Sequence, residues 1–170
     1  MIYSSTDGHT KTICERIANL SSDKNLVKIL SLKEAEEIDL NQFNKIIVGA
    51  SIRYGKHSKD LYKFIRLNKN LLEKIDNAFF SVNVVARKTE KNTPDSNPYI
   101  KKFLKISEWS PKKIAVFAGK VDYPKYNFFD KYIIKFIMFI TKGPTDITQS
   151  YEFTDWSKVD IFAKELWIKS

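Results

Sequence analysis

The stretch from Lys45 to Ser51, Lys-Ile-Ile-Val-Gly-Ala-Ser, constrains the fold most, because it is a nearly continuous apolar run. A run of this kind, without polar alternation, is typical of a strand buried on both faces at the centre of a parallel sheet. Other apolar runs alternate with stretches whose apolar residues recur at helical spacing, such as Ile13, Ile17 and Leu20. The sequence therefore predicts an α/β fold, with an open parallel five-stranded sheet and helices on both faces.

This pattern also predicts the order of the elements. The predicted strands are Ile2–Ser4, Leu26–Leu30, Lys45–Ser51, Ala78–Val85 and Lys113–Ala118. The predicted helices are Lys11–Leu20, a single turn at Lys33–Glu37, Lys59–Leu72, Tyr99–Ile106 and a last helix that Asp155 caps and that runs to about Ile168. No repeat or linker interrupts this order, so residues 1–170 are predicted to form one domain with an insertion at about 120–147.

The loop from Ser4 to Thr10 leads from the first strand into the first helix and offers hydroxyls, a glycine and free backbone N–H groups. In open α/β sheets a phosphate binds at the N-terminus of this helix. The loop has no lysine, so it is not a Walker A loop, and it lacks Gly-x-Gly-x-x-Gly, which disfavours a dinucleotide. On its own, the pattern is also that of an ordinary helix-capping turn.

The 29 Lys and Arg residues outnumber the 20 Asp and Glu residues, for a formal net charge of +9. Most of the excess lies in residues 86–113, at +5, and residues 120–142, at +3. Such local charge attracts nucleic acid, anionic lipid or an acidic small molecule, and the absence of a nucleic-acid reader motif disfavours the first. The single cysteine, Cys14, excludes a disulfide framework and a cysteine-based metal site, and we expect a small core residue there. No metal site is predicted.

The insertion combines aromatic residues with lysines. On a helix, Lys131, Lys135 and Lys142 fall within about 40° of one another. The opposite side carries Phe129, Ile133, Phe136, Ile137 and Ile140. This arc is too wide for a solvated surface helix, which favours a role at a membrane interface or over a substrate, with packing on the chain's own domain as the alternative. The apolar stretch 132–140 is too short to cross a bilayer, and the N-terminus has no secretory pattern, so we expect a cytoplasmic protein.

Several segments together resemble one family. Beside the loop at residues 4–10, the segments at residues 48–55, 80–88, 118–126 and 151–156 are similar to those of the bacterial FMN-dependent protoporphyrinogen oxidases. These form the menaquinone-dependent protoporphyrinogen IX dehydrogenase branch of the flavodoxin-like proteins, and the similarity covers essentially the whole chain. The resemblance implies a flavodoxin-like fold, with the long basic aromatic insertion after the fifth strand begins.

The resemblance also implies a site. The FMN phosphate would be bound by the first loop, Ser5, Thr6, Asp7, Gly8, His9 and Thr10. The flavin ring would lie between Ser51, Ile52, Arg53, Tyr54 and Gly55 on one side and Ser81, Val82, Asn83, Val84, Val85, Ala86 and Arg87 on the other. Substrate or membrane contacts would come from Arg87, Lys88, Lys125, Lys131, Lys135 and Lys142. No acid or base is assigned.

For individual side chains the residues leave alternatives open. Arg53 and Tyr54 are either flavin contacts or a surface pair, and Arg87 and Lys88 either pair with porphyrinogen propionates or are solvated. His57 is a candidate acceptor of a substrate proton near neutral pH, and His9 a candidate for a chemical role, but at both positions we expect solvent-exposed side chains. Only Met1 to Ser4 precede the phosphate loop, where the family has several more residues. We expect either that the start codon is placed late or that the edge of the sheet is weakened.

The function implied is oxidation of protoporphyrinogen IX in heme biosynthesis, with electrons passed to menaquinone or ubiquinone. The enzyme would associate peripherally with the cytoplasmic face of an anionic membrane. The alternatives are a flavodoxin-type electron carrier, an FMN quinone reductase and a flavin-free docking scaffold. Flavodoxin-type electron carriers are usually acidic, so the net charge of +9 disfavours this alternative.

Overall fold

The computed structural model describes residues 1–21 and 25–168. Within them the strands are β1 (Ile2–Ser4), β2 (Leu30–Ser31), β3 (Lys45–Ser51), β4 (Asp76–Val82), β5 (Lys113–Phe117), β6 (Lys120–Asp122) and β7 (Ser150–Glu152). The helices are α1 (His9–Asn19), α2 (Leu32–Glu36), α3 (Lys59–Lys74), α4 (Pro98–Ser107), α5 (Phe128–Ile140) and α6 (Trp156–Trp167). Short 3₁₀ turns occur at 40–42, 84–87, 89–91 and 123–125.

The main sheet has five parallel strands in the order β2-β1-β3-β4-β5, which confirms the predicted α/β architecture. Parallel strands joined through helices bring their carboxyl ends to one edge of the sheet. The loops after β1, β3 and β4 therefore lie together, and this edge is where a ligand site is expected.

Alternating residues of the strands fill two cores, one on each face of the sheet. Ile46, Val48 and Ala50 of β3 pack with α3 and α4, whereas Ile47 faces α1 and α6. Cys14 is fully buried in this second core, as expected, and burial raises the pKa of its thiol to about 12. Helices thus cover both faces of the sheet, which accounts for the continuous apolar run in β3.

Gly49 is required by packing rather than by backbone conformation. A Cβ atom at this position would lie 2.2 Å from Cζ of the Phe80 ring on the neighbouring strand. The absence of a side chain on β3 thus makes room for an aromatic ring on β4.

Three expectations about strands were wrong. The first strand lies inside the sheet, paired with both β2 and β3, so its shortness does not weaken an edge. The second strand covers Leu30–Ser31 rather than residues 26–30. Leu26 is almost fully exposed, and β2 is an edge strand that pairs with β1. The fourth strand ends at Val82, because the Asn83 side chain accepts a hydrogen bond from the Ala86 N–H and begins a 3₁₀ turn.

The insertion forms a small layer of its own beyond β5. An antiparallel pair, β6 and β7, packs with α5 around a third cluster of Val121, Tyr123, Tyr126 and Met138. The last helix begins at Trp156, and the Asp155 carboxylate accepts from the Lys158 N–H, which confirms the predicted cap.

Candidate functional site

The loop after β1 enters α1 without the side-chain cap that most helices have. Its N-cap residue is Gly8, in the left-handed region at φ +83°, and no side chain accepts a hydrogen bond there. The reading of this loop as an ordinary capping turn is therefore wrong. The first-turn N–H groups have no side-chain acceptor and carry the positive end of the helix dipole, which suits an anion.

A buried hydroxyl points to the same ligand. Thr10 lies in the first turn of α1 and is fully buried, yet its Oγ1 has no hydrogen-bond partner among the described residues. Leaving such a group unpaired costs roughly 1–3 kcal/mol. Thr10 lines the same cleft as Ser5, Thr6 and Asp7. Hydroxyls and free N–H groups around a small cleft are the donor set that a phosphate group requires.

The loops after β3 and β4 form the other side of this cleft. They are joined by a hydrogen bond from the Ile52 N–H to the Val82 carbonyl, 2.9 Å long. Arg53 and Lys56 then close a two-residue turn through reciprocal backbone hydrogen bonds of 3.0 and 3.2 Å. The central residues, Tyr54 and Gly55, have φ of +49° and +76°, as a type I′ turn requires.

Arg53 is the most connected side chain of the site. Its guanidinium donates to Asp7 Oδ2 and to Asp130 Oδ2, both at 2.8 Å, and lies over the rings of Tyr54 and Tyr126 at 5.1 and 4.8 Å. Burial has the largest single effect and lowers the pKa of Arg53, but Asp7, Tyr54 and Asp130 together raise it above its ordinary value. Because the guanidinium is paired with two carboxylates and lies over two rings, Arg53 is not a freely solvated surface residue.

A buried polar network supports the loop after β4. His57 Nε2 lies 3.1 Å from Ser81 Oγ, the Asn83 amide donates to the same oxygen at 3.3 Å, and the Asn97 amide donates to Asn83 Oδ1 at 3.2 Å. His57 is only 3% exposed, so the expectation of a solvent-exposed residue was wrong. Burial lowers its pKa to about 4, which keeps the ring neutral.

His9 was also expected in solvent, and it is half-buried. Its Nε2 lies 2.6 Å from Thr154 Oγ1, and its ring meets Trp156 edge-on at 5.9 Å. Thr154 Oγ1 in turn donates to the Ala118 carbonyl. Loss of hydration is the main effect that lowers the pKa of His9. His9 therefore joins the start of α1 to the segment before α6.

Arg87 has a different place from the predicted substrate contact. Its guanidinium donates to the carbonyl oxygen of Thr141 at 2.7 Å and to Thr141 Oγ1 at 3.0 Å, at the end of α5. It also donates to the Val84 carbonyl and lies over the Phe153 ring. Burial lowers its pKa. These hydrogen bonds orient the guanidinium of the half-buried Arg87 toward the insertion. They favour a structural role over the predicted propionate contact, which stays a prediction.

Helix α5 turns its apolar side outward. Met138 is its buried residue, and Ile134, Lys131 and Lys135 are half-buried beside it. Its exposed large hydrophobic side chains are Phe128, Phe129, Tyr132, Ile133, Phe136, Ile137, Phe139 and Ile140. We call these eight side chains the α5 ridge. Lys142 lies beyond the end of the helix at φ +56°, so it does not share a helical stripe with the other two lysines.

The structure brings most of the predicted site residues to one cleft. From the three predicted loops the lining residues are Ser5, Thr6, Asp7, His9, Thr10, Ser51, Ile52, Arg53, Tyr54, Gly55, Val82, Asn83, Val84 and Val85. Gly8, Ser81, Ala86 and Arg87 do not line it. The lining also includes residues that were not predicted: Tyr99, Gly119, Lys120, Val121, Tyr126, Ile134, Ile137 and Met138.

Most of those unpredicted residues come from the insertion. The motifs at 118–120 and 123–126 were signals for Lys120 and Tyr126, whereas no local signal marked Ile134 or Met138. Lys88, Lys125, Lys131, Lys135 and Lys142 lie outside the cleft lining. In the described ranges 1–21 and 25–168, no acidic, histidine or cysteine cluster has the makings of a metal site, and no helix is long and apolar enough to cross a membrane.

Comparisons with known proteins agree with this geometry. The family model described as "Flavodoxin domain" matches residues 1–148. A protein of Leishmania major named protoporphyrinogen IX dehydrogenase (quinone) is 44% identical over 167 residues, covering 97% of this chain and 72% of that protein. The protein of the same name in Escherichia coli K12 is 36% identical over 167 residues, covering 98% of this chain and 92% of that protein.

Among solved structures, oxidised Flavodoxin 1 from Bacillus cereus superposes with a TM-score of 0.51, covering 98% of this chain and 94% of that chain. At 15% identity this similarity concerns the fold alone.

Proposed function

The chain belongs to the flavodoxin-domain family, within it to the protoporphyrinogen IX dehydrogenases, and we propose that it binds FMN and oxidises protoporphyrinogen IX with a quinone as acceptor. The observation that carries the proposal is the unpaired, buried Thr10 Oγ1 at the uncapped start of α1. A phosphate there would accept a hydrogen bond from this hydroxyl, which is otherwise buried without a partner in the described part of the chain. The neighbouring loops line a cleft beside it.

Family membership implies a flavin cofactor, and the phosphate site favours FMN. Thr6, Thr10 and the first N–H groups of α1 would bind its phosphate, and Ile52, Val84 and Tyr126 would flank its ring. FMN, when bound, supplies the two-electron chemistry that connects a porphyrinogen donor with a quinone acceptor. Protoporphyrinogen loses six hydrogens on becoming protoporphyrin, which three quinones take up to give three quinols.

The protein's part is to position these groups and to limit water. Val84, Ile134 and Met138 give the cleft apolar walls, and Asp7 is neutralised by Arg53 instead of repelling a phosphate. Lys120 lines the cleft both on the side of the phosphate loop and on the side proposed for the flavin ring. Its Nζ lies 3.6 Å from the Asp122 carboxylate. No described side chain is placed as an acid or base, so we assign none.

A propionate-bearing substrate suits the charge outside the cleft. Lys125 is the most exposed cation of the insertion with an ion pair, at 3.2 Å from Asp122, and Lys88 follows the β4 loop. We propose both as carboxylate contacts. Lys125 is exposed and Lys88 is half-buried; lysines near the surface raise the local concentration of anions more than they fix an orientation.

The α5 ridge supports peripheral binding to an anionic membrane. Eight exposed apolar side chains on one helix are typical of a surface that something covers. Lys125 precedes and Lys142 follows that helix in the chain, and both are exposed, so they would attract anionic lipid headgroups. Contact with the membrane would bring the cleft close to a lipid-dissolved quinone.

Anaerobic reduction by substrate tests the catalytic proposal. The chain is reconstituted with FMN, and protoporphyrinogen IX is added without oxygen. Bleaching of the oxidised flavin spectrum is expected, followed by recovery on addition of a menaquinone analogue, with one porphyrin formed for three quinones consumed. Failure to bleach would reject the dehydrogenase. Reduction by a nicotinamide alone would instead favour a quinone reductase, and lack of FMN binding would favour a flavin-free scaffold.

A further inference from the structure

Asp130 lies in the first turn of α5 and collects donors from outside the helix. It accepts hydrogen bonds from Arg53 Nη2 at 2.8 Å, from Asn127 Nδ2 at 3.2 Å and from the Tyr54 hydroxyl. The bond from Tyr54, together with the Arg53 charge, lowers the pKa of Asp130 below its ordinary value of 3.8. The carboxylate is therefore ionised and paired at neutral pH.

Through Arg53 this carboxylate reaches the phosphate loop. Arg53 Nη1 donates to Asp7 at 2.8 Å, and the Tyr126 hydroxyl lies 3.4 Å from the same oxygen. The guanidinium also lies over two tyrosine rings, those of Tyr54 and Tyr126. One side chain thus joins a residue before α1 to a residue in α5, far apart in the sequence, across the cleft.

The backbone at Tyr54 is evidence that this connection is maintained at a cost. Its φ of +49° lies in the left-handed region, where residues other than Gly, Asn and Asp are uncommon because Cβ approaches the carbonyl oxygen. A glycine or asparagine there would form the same turn with less strain. A tyrosine at this position places its hydroxyl on Asp130. Strain of this kind persists where the surrounding contacts hold it and is often functional.

We propose that Asp130 is a positioning residue that fixes α5 across the cleft, so that Ile134, Ile137 and Met138 form a closed wall of the cofactor site. The proposal rests on the proposed function where it names the cofactor. Arg87 on Thr141 fixes the other end of the same helix, so the loss of Asp130 frees one end only. In this arrangement α5 limits exchange between the cleft and solvent.

Limited trypsin digestion of the protein without FMN tests the fixed helix. Lys131 and Lys135 are half-buried within α5, and cleavage after them requires the helix to open. Asp130→Ala is expected to speed these two cleavages about tenfold, measured by mass spectrometry relative to cleavage after Lys125 outside the helix. Cleavage after Lys135 decides the test, because Asp130 adjoins Lys131 and a neighbouring carboxylate slows trypsin by itself. Asp95→Ala, at an exposed carboxylate in the loop before α4, is the matched control and is expected to leave the rates unchanged.

A second variant keeps the test valid if helix α5 is fully unfolded in Asp130→Ala. Tyr54→Phe removes one hydroxyl from a half-exposed ring and should speed the same cleavages about threefold, with Tyr62→Phe as its control. Because both residues act through one contact, the double variant should be no faster than Asp130→Ala alone. Unchanged cleavage after Lys135 in both single variants, or strictly additive effects, would overturn the proposal.

The wall itself is tested by FMN exchange. The fluorescence of released FMN is followed after dilution, and association is followed on mixing. Asp130→Ala is expected to raise both rates about tenfold with little change in Kd, because an opened wall speeds entry and exit alike. Faster proteolysis with unchanged exchange would overturn the wall. If the chain binds no FMN, the proposed function fails, while the digestion still decides whether Asp130 fixes α5.

Discussion

Arg53 and Arg87, which follow neighbouring strands of the sheet, bind opposite ends of the same helix. Arg53 pairs with Asp130 in the first turn of α5, and Arg87 donates to Thr141 just after its last turn. Both arginines come from loops that the sequence assigned to a flavin ring. The insertion is thus attached to the cofactor loops at two points, and its position is determined by the site that it covers.

Loss of the Thr10 hydroxyl should leave the stability of the FMN-free protein intact or raise it, but it should weaken FMN binding. Thr10→Val keeps the shape of the side chain and removes a buried hydroxyl that has no partner. Without FMN the free energy of unfolding should stay equal or rise by about 1 kcal/mol. FMN affinity should fall tenfold or more, since a charge-assisted hydrogen bond is lost. Urea unfolding and fluorescence titration measure the two effects, and undiminished FMN affinity would contradict the phosphate site.

Gly49 gives a prediction about packing that is independent of the cofactor. Gly49→Ala would place a methyl group 2.2 Å from the Phe80 ring, which must then move within a closed core. Overpacking of this kind costs about 1–3 kcal/mol. Combining it with Phe80→Leu, which makes room, should cost less than the two single changes added together. Additive losses in urea unfolding would show that the ring is not what excludes the methyl group.

His57 should make the protein less stable as the pH falls. Burial lowers its pKa to about 4 from an ordinary value of 6.5, so the unfolded chain binds a proton that the folded chain refuses between these values. The free energy of unfolding therefore decreases from pH 6.5 downward, by about 2 kcal/mol at pH 5 from this residue alone. His57→Gln takes up no proton, so its stability should fall less between pH 7 and pH 5 in urea titrations. Equal losses in both proteins would contradict a buried, neutral His57.

The sequence was informative where local pattern decides the structure. The apolar run of β3 and the bounds of β1 follow from the order of apolar residues along the chain. The hydroxyl-rich loop likewise predicted an anion site at the start of α1. In contrast, three-residue strands such as β6 and β7 bury too little to leave a periodic signal. The ion pair between Arg53 and Asp130 joins residues 77 positions apart, and no local pattern encodes such a contact.

Helix α5 also shows what sequence periodicity cannot predict, namely how a helix is oriented on its domain. Periodicity separated an apolar side from Lys131 and Lys135, but it carries no information about which side faces the domain. Tertiary contacts decide this: Met138 and Ile134 pack on Val121 and Tyr123, and the wider apolar side remains outside. For the same reason, the burial of His57 beneath the β4 loop was not apparent from its polar neighbours in the sequence.

The outward direction of the α5 ridge changes which residues should matter for membrane binding. Phe129 and Phe136 are 77% and 63% exposed, and they would enter the lipid directly. Phe129→Glu combined with Phe136→Glu is therefore expected to abolish sedimentation with anionic liposomes at any salt concentration. Lys125→Glu with Lys142→Glu should weaken sedimentation mainly at low salt, because exposed charges are screened. Lys131→Glu with Lys135→Glu should act less on binding, since these lysines are half-buried beside Met138.

The control for this experiment is an exposed apolar residue away from the insertion. The exposed fraction of Leu67 on α3 is 65%, similar to the 63% of Phe136. Leu67→Glu therefore changes surface hydropathy and charge about as much as one of the two ridge substitutions does. Its sedimentation should equal that of the unmodified chain apart from the small effect of one added charge. If Leu67→Glu released the protein as fully as the α5 ridge variant, net charge alone would explain the binding. If neither variant reduced sedimentation, the α5 ridge would have no role at the membrane, and a protein partner would become the better explanation for its exposed side chains.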